Sequence, residues 1–173
     1  MTSNKVQIPQ LDLDRFHYDI APRHSALDPL RHQRSVAWAE TFRLAPNEAA
    51  RKLIDKIHVD DMSAAIYVDA TPEILDLCTD LLLWFFVSDD QYDERAIGAS
   101  PLKMEKVFGN FMRILRTGNE REAISPLGHA LLNVRTRLVA AGSPSWYARF
   151  VDNMELYFEG CMRESNNRAA KRT

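Results

Sequence analysis

A chain of 173 residues suits one domain of ordinary size, in which roughly 70% of the unfolded chain's surface becomes buried. With 46% hydrophobic residues, 27% charged residues and a formal net charge of -2, the balance shows neither a nucleic-acid footprint nor an acidic tail. No apolar run approaches the roughly 18 residues of a membrane span, the N-terminus has no signal-peptide core, and Cys78 and Cys161 form no Cys-x-x-Cys or Cys/His cluster, so a cytoplasmic protein with buried thiols and no zinc is expected.

The N-terminal stretch through "FHYDIAPRHSAL" is aromatic, and Pro22 resists helix, so residues 1–27 are expected to drape over helices as an arm ahead of a helical domain over 28–173. Asp28-Pro29 then marks a helix start. The segment "HVDDMSAAIYVDA" that follows the next charged stretch reads as a loop or a short helix, with Asp60-Asp61 as its cap. Four further starts share one punctuation: Thr71-Pro72, Ser100-Pro101, Ser125-Pro126 and Ser143-Pro144. A hydroxyl caps free backbone N–H groups, and proline at the first helical position gives up an N–H that had no partner. Behind these starts, apolar residues recur at three and four: Val107, Phe111, Ile114 and Leu115; Leu127, Leu131, Val134 and Leu138; Trp146, Phe150, Met154, Tyr157 and Cys161. Gly118 and Gly142 stand where helices would end in a left-handed residue. No segment alternates as a strand, which predicts an all-α bundle. His24, His32, His58 and His129 stand at spacings that join none of them into a set, and are read as ordinary surface or interface residues.

Chemistry concentrates in "WFFVSDDQYDE", Trp84 to Glu94, where an apolar stretch ends in Asp89, Asp90, Asp93 and Glu94. At about 100° per residue, Leu75, Cys78, Leu82, Phe85, Phe86, Asp89 and Asp93 fall within one arc of the helix that begins at Thr71. Like charges at i, i+4 near a helix C-terminus repel each other and oppose the helix dipole, which a divalent cation would resolve. Oxygen donors without His or Cys suit Mg²⁺, which fills its remaining positions with water and phosphate oxygens, so a phosphorylated partner is expected. A solvated acidic helix end accounts for the spacing as well, and Phe85 and Phe86 are equally readable as core.

Asp89-Asp90-Gln91-Tyr92-Asp93-Glu94 behind Trp84-Phe85-Phe86 resembles the aspartate-rich motif of bacterial class I terpene synthases. "DPLRHQRSVAWAETFRL" is similar to that family's N-terminal segment, although Asp28 stands where the family usually has Asn. "SPSWYARFVDNMELYFEGCMRESNNRAA" resembles its long pocket-side helix. The resemblance implies a class I terpenoid synthase helical bundle, in which Mg²⁺ grips the diphosphate of a prenyl substrate such as farnesyl diphosphate. The diphosphate leaves and the carbocation cyclises against apolar and aromatic walls, a carbon-oxygen lyase reaction. It also implies metal-ligand roles for Asp89, Asp93 and Glu94, with Asp90 a ligand or a salt-bridge partner, and a substrate-binding floor from Phe85 and Phe86. Phe111, Tyr157 and Cys161 are further wall candidates. No dedicated catalytic acid or base is implied.

The family's second metal motif, Asn-x-x-x-Ser/Thr-x-x-x-Glu/Asp, occurs nowhere between Met1 and Thr173, nor do its diphosphate-sensing arginine and Arg-Tyr pair. The expectation is a partial bundle, an N-terminal fragment that is inactive alone. Its open apolar faces would self-associate, so that a homodimer is one expected form. Two rival readings stand beside this one: a non-catalytic helical module, and a prenyl chain-elongating synthase, whose motif is usually followed by paired arginines where this chain has only Arg95.

Overall fold

The computed structural model describes residues 21, 23–25, 28–93 and 100–170. They form seven α-helices: α1 Arg31–Thr41, α2 Glu48–Ile57, α3 Val59–Ile66, α4 Pro72–Asp93, α5 Pro101–Thr117, α6 Pro126–Ala141 and α7 Pro144–Ala169, with a 3-10 turn at Glu120–Glu122 and no strand. None is long and apolar enough to cross a membrane. Most of the expected arm lies outside the described residues; within them, Arg23 pairs with Asp69 at 2.6 Å and the Ser25 N–H donates to the Ala64 carbonyl at 3.0 Å.

All four hydroxyl-proline pairs begin helices. Ser125 Oγ accepts from the Gly128 N–H at 3.0 Å and Ser143 Oγ from the Trp146 N–H at 3.2 Å, each satisfying a donor of the first turn. Thr71 Oγ1 does so more loosely with Ile74 at 3.4 Å, and Ser100 makes no such bond. At Asp28-Pro29 the helix begins two residues later, at Arg31, after a turn in which the Asp28 carboxylate accepts from Leu30. The uncertain segment after residue 57 contains α3, an 8-residue helix. Asp60 and Asp61 occupy its first turn, where the dipole favours anions, but the capping position belongs to His58.

The two glycines differ. Gly118 ends α5 with φ 66°, the left-handed conformation expected of it. Gly142 is extended, φ -105° and ψ 162°, because the chain passes straight into Ser143-Pro144. Glycine is needed there for space, since a Cβ would stand 2.6 Å from Cε3 of Trp146. Replacing Gly118 by alanine should cost about 1–2 kcal/mol in urea unfolding, from the left-handed backbone alone, with a further loss as Arg135 is pushed aside.

Helix α4 packs against α1, α3 and α6, and α5 against α6 and α7. The core collects Trp84 and Leu83 of α4, Phe111 and Ile114 of α5, and Leu131 of α6, with Phe158 of α7 stacked on Phe108 at 4.6 Å between ring centroids. Surrounded on several sides, α4 buries residues on most of its faces, and the arc read from its spacing is not its principal buried face. Leu75 of that arc is buried, but the fully buried line continues through Leu77, Leu81, Trp84 and Ser88, whereas Cys78, Leu82 and Phe85 are half-buried and Phe86 is 37% exposed. The two cysteines, expected to be buried, are also only half-buried. Cys78 borders an apolar groove between α4, the end of α6 and the start of α7, which opens it to solvent.

Polar contacts tie the helices to α4. Arg31 and Arg34 of α1 both reach Asp76, at 3.0 and 2.9 Å, Ser63 of α3 bonds Thr79 at 2.6 Å, and Arg137 of α6 pairs with Asp80 at 2.6 Å.

Candidate metal centre

The last turns of α4 point their side chains in three directions, two of which carry the described acids Asp89 and Asp90. Tyr92 turns inward, buried edge-on against Phe108 and Phe111, and burial pushes its phenol up to about 12. Asp90 and Phe86 face α2, bordering a shallow cleft with Leu53, Ile54 and Ile57. Asp89 and Phe85, one turn apart, face α7. There Tyr157 donates its hydroxyl to Asp89 Oδ1 at 2.6 Å, and its ring meets Phe85 edge-to-face at 5.2 Å and 81°.

Of the six expected site residues, the structure therefore brings Asp89 and Phe85 together and places Asp90 and Phe86 about 100° round the helix, as consecutive positions must be. Asp93 closes α4 one turn beyond Asp89; its side chain, and the whole of Glu94, lie outside the described residues. Phe111, a wall candidate, is core at 1% exposure, and Cys161 is half-buried on α7.

Burial, and then the bond to Asp89, hold the Tyr157 phenol far above its ordinary range, so it stays a donor at any neutral pH. A carboxylate accepts at about four lone-pair sites, so the tyrosine orients Asp89 and leaves it capacity for a hard cation. The last turn of α4 carries no basic residue to compete for that place.

The Tyr157–Asp89 bond spans 68 residues of chain, and only the periodic placing of Tyr157 on α7 hinted at it. A second grouping escaped the sequence reading altogether. His32, His58 and Asp60 converge with their ligand atoms within 4.8 Å of one another, so the histidines are not the unconnected residues their spacing suggested. Distance along the chain hid them: α1 folds back on the joint between α2 and α3.

Residues 80–173 match the family model described as terpene synthase family 2, C-terminal metal binding. The chain is similar to germacrene A synthase of Nostoc punctiforme, at 31% identity over 78% of this chain and 42% of that protein. It is also similar to a (+)-T-muurolol synthase of Roseiflexus castenholzii, named as cyclising (2E,6E)-farnesyl diphosphate, at 30% identity over 86% and 44%. Pentalenene synthase of Streptomyces arenae matches at 28% over 93% and 47%. The chain spans about half the length of these relatives. Its fold is shared with the solved SVS_A2 protein from ancestral sequence reconstruction, at a TM-score of 0.76 and 22% identity over 88% of this chain and 49% of that one. The family match runs from Asp80 on α4 through the acids and α5 to α7, more than half of the molecule, and on that extent the chain belongs to terpene synthase family 2, within its metal-binding domain.

Proposed function

We propose that residues 28–173 form one metal-bearing wall of a terpene cyclase, with residues 1–27 as an arm, and that Asp89, with Asp90, Asp93 and Glu94, holds Mg²⁺ against the diphosphate of a linear prenyl substrate such as farnesyl diphosphate. The observation that carries this reading is the Asp89–Tyr157–Phe85 cluster: a carboxylate oriented by a tyrosine whose ring meets Phe85, one turn back on α4, inside the matched metal-binding region. Bound there, Mg²⁺ would supply Lewis-acid stabilisation of the departing diphosphate. Asp89 provides the hard oxygen donor, and Tyr157 fixes its direction. Phe85 presents a ring face that stabilises positive charge without offering a nucleophile. Phe86 and Asp90, turned toward α2, serve this site from its flank. Cyclising relatives, one of them named for farnesyl diphosphate, support the substrate class. The same reading takes the protein as cytoplasmic, in keeping with its two thiols, and its exposed apolar residues, Leu156 at 64% among them, as a surface for homodimer formation.

The test is thermal unfolding of the chain with Mg²⁺, with inorganic pyrophosphate, and with both. The pair together at a hundredfold excess over Kd should add about 2.7 kcal/mol, or about 5–10 °C in Tm. An Asp89→Asn, Asp93→Asn chain should lose that protection. Equal protection of both chains, or none of either, would mean that the acids are a solvated helix end and the chain a helical module without this chemistry.

A further inference from the structure

A second constellation lies away from α4, where α1 crosses the joint between α2 and α3. His58 makes that joint, ending one helix and preceding the next with a left-handed backbone, φ 50° and ψ 52°. Its ring stacks on that of His32 from α1, with centroids 4.5 Å apart and planes 26° from parallel. Asp60 Oδ1 lies 3.3 Å from His32 Nδ1 and 3.6 Å from His58 Nδ1. The other ring nitrogen of His32, Nε2, stands 3.2 Å from Asp55 Oδ1.

One carboxylate oxygen thus faces two imidazole nitrogens, and each approach needs a proton or a cation between the two atoms. Protons meet these contacts only with His32 carrying one on each nitrogen, between Asp60 and Asp55, while His58 donates from Nδ1 as the neutral ring. One dication among the three atoms satisfies the same contacts, with His32 keeping only the Nε2–H that faces Asp55. Metal bonds of about 2.0–2.1 Å to nitrogen and oxygen give a tetrahedral edge of about 3.4 Å; the two nitrogen–oxygen separations are close to it, and all three ligand atoms lie within 4.8 Å of one another, so the rings need only close in around an ion. Asp55 stands where a carboxylate holds the far nitrogen of a ligating histidine, fixing its tautomer and raising its basicity. Asp60 and His32 are largely enclosed, with side chains 14% and 18% exposed, while His58 at 56% leaves the fourth position open to water. Two nitrogens and one oxygen select against Mg²⁺ and for a first-row transition metal.

We propose that His32, His58 and Asp60, oriented by Asp55, bind one transition-metal dication, Zn²⁺ foremost, that fastens α1 to the α2–α3 joint. This site is independent of the all-oxygen acids of α4. It revises the expectation of no zinc, which rested on the cysteines alone.

Tag-free chain stripped of metal and titrated with Co²⁺ tests it. One equivalent should bind with the intense visible absorption of a tetrahedral site, be displaced by Zn²⁺ and persist in excess Mg²⁺. His58→Gly suits the left-handed backbone, so it should leave metal-free stability intact or higher while weakening metal binding about tenfold or more, with a similar loss in Asp60→Asn. Asp55→Asn should weaken it about tenfold as a positioning change, and His129→Ala not at all. A spectrum no different from aqueous Co²⁺, or unchanged affinity in His58→Gly, would overturn the site and leave a pair of proton-bridged histidines. The wild-type spectrum decides the matter even where a variant fails to fold.

Discussion

Replacing Trp84 by alanine should lower stability by about 3–5 kcal/mol, the range for removing a fully buried large aromatic side chain. Its side chain is 0% exposed, where α4 meets α5 and α6, with the ring edge-on to Phe111 at 5.3 Å and to Phe85 at 5.4 Å. The indole N–H also donates to the Leu127 carbonyl at 3.0 Å, so the truncation removes ring contacts and a bond between helices together. Against a total of about 5–15 kcal/mol for an ordinary domain, that takes about a fifth of the stability or more. Urea unfolding should show a lower midpoint at unchanged slope. Trp84→Phe keeps most of the contact area and loses the donor, so about 1–2 kcal/mol is expected. A cost below about 1 kcal/mol for the alanine variant would mean that this junction is loosely packed, against the density typical of protein interiors.

What the sequence made legible was whatever chemistry sits between neighbouring residues. Ser125 and its proline cap α6 with atoms three residues apart, and Gly118 ends α5 through its own backbone, so both could be read from a few adjacent letters. Helices α5 and α6 showed their faces because each buries one side, whereas the stripe read on α7 runs beside its buried face of Val151, Met154 and Phe158, shares only Met154 with it and leaves Trp146 exposed. Helix α4 defeated the same method, since neighbours on several sides make most of its residues apolar and only the packing ranks one face above another. Gly142 looked like a helix end of the same kind as Gly118. Its reason lies instead in the Trp146 ring above it, which local pattern does not report. Within the candidate site, the motif located Asp89 on α4 but not its partner, since Tyr157 comes from another helix. His32 and Asp60 are 28 residues apart and meet only because of how α1 turns back.

Arg137→Met should produce a loss whose size depends on pH, because the guanidinium pairs at 2.6 Å with Asp80, whose side chain is only 9% exposed. Burial pushes the Asp80 carboxyl up to about 6 from its ordinary 3.8, although the bond and charge of Arg137 pull the other way. Between those values the folded chain holds a proton that the unfolded chain has released. Stability from this group is therefore greatest below 3.8 and falls as pH rises toward about 6, by about 3 kcal/mol in all. Removing Arg137 takes away the opposing pull, so the folded carboxyl titrates higher still and the decline extends further up in pH. Wild type and variant should then differ little at about pH 5, where Asp80 is mostly protonated in both, and by about 3 kcal/mol at about pH 8, where an unpaired buried carboxylate must be kept or neutralised. Urea unfolding at the two pH values measures the difference, and an equal loss at both would assign the cost to the packing of the arginine stem. Adding Asp80→Asn removes the titrating group, so the double variant should recover most of the loss at the higher pH; without that recovery, Asp80 is not the charge that Arg137 answers.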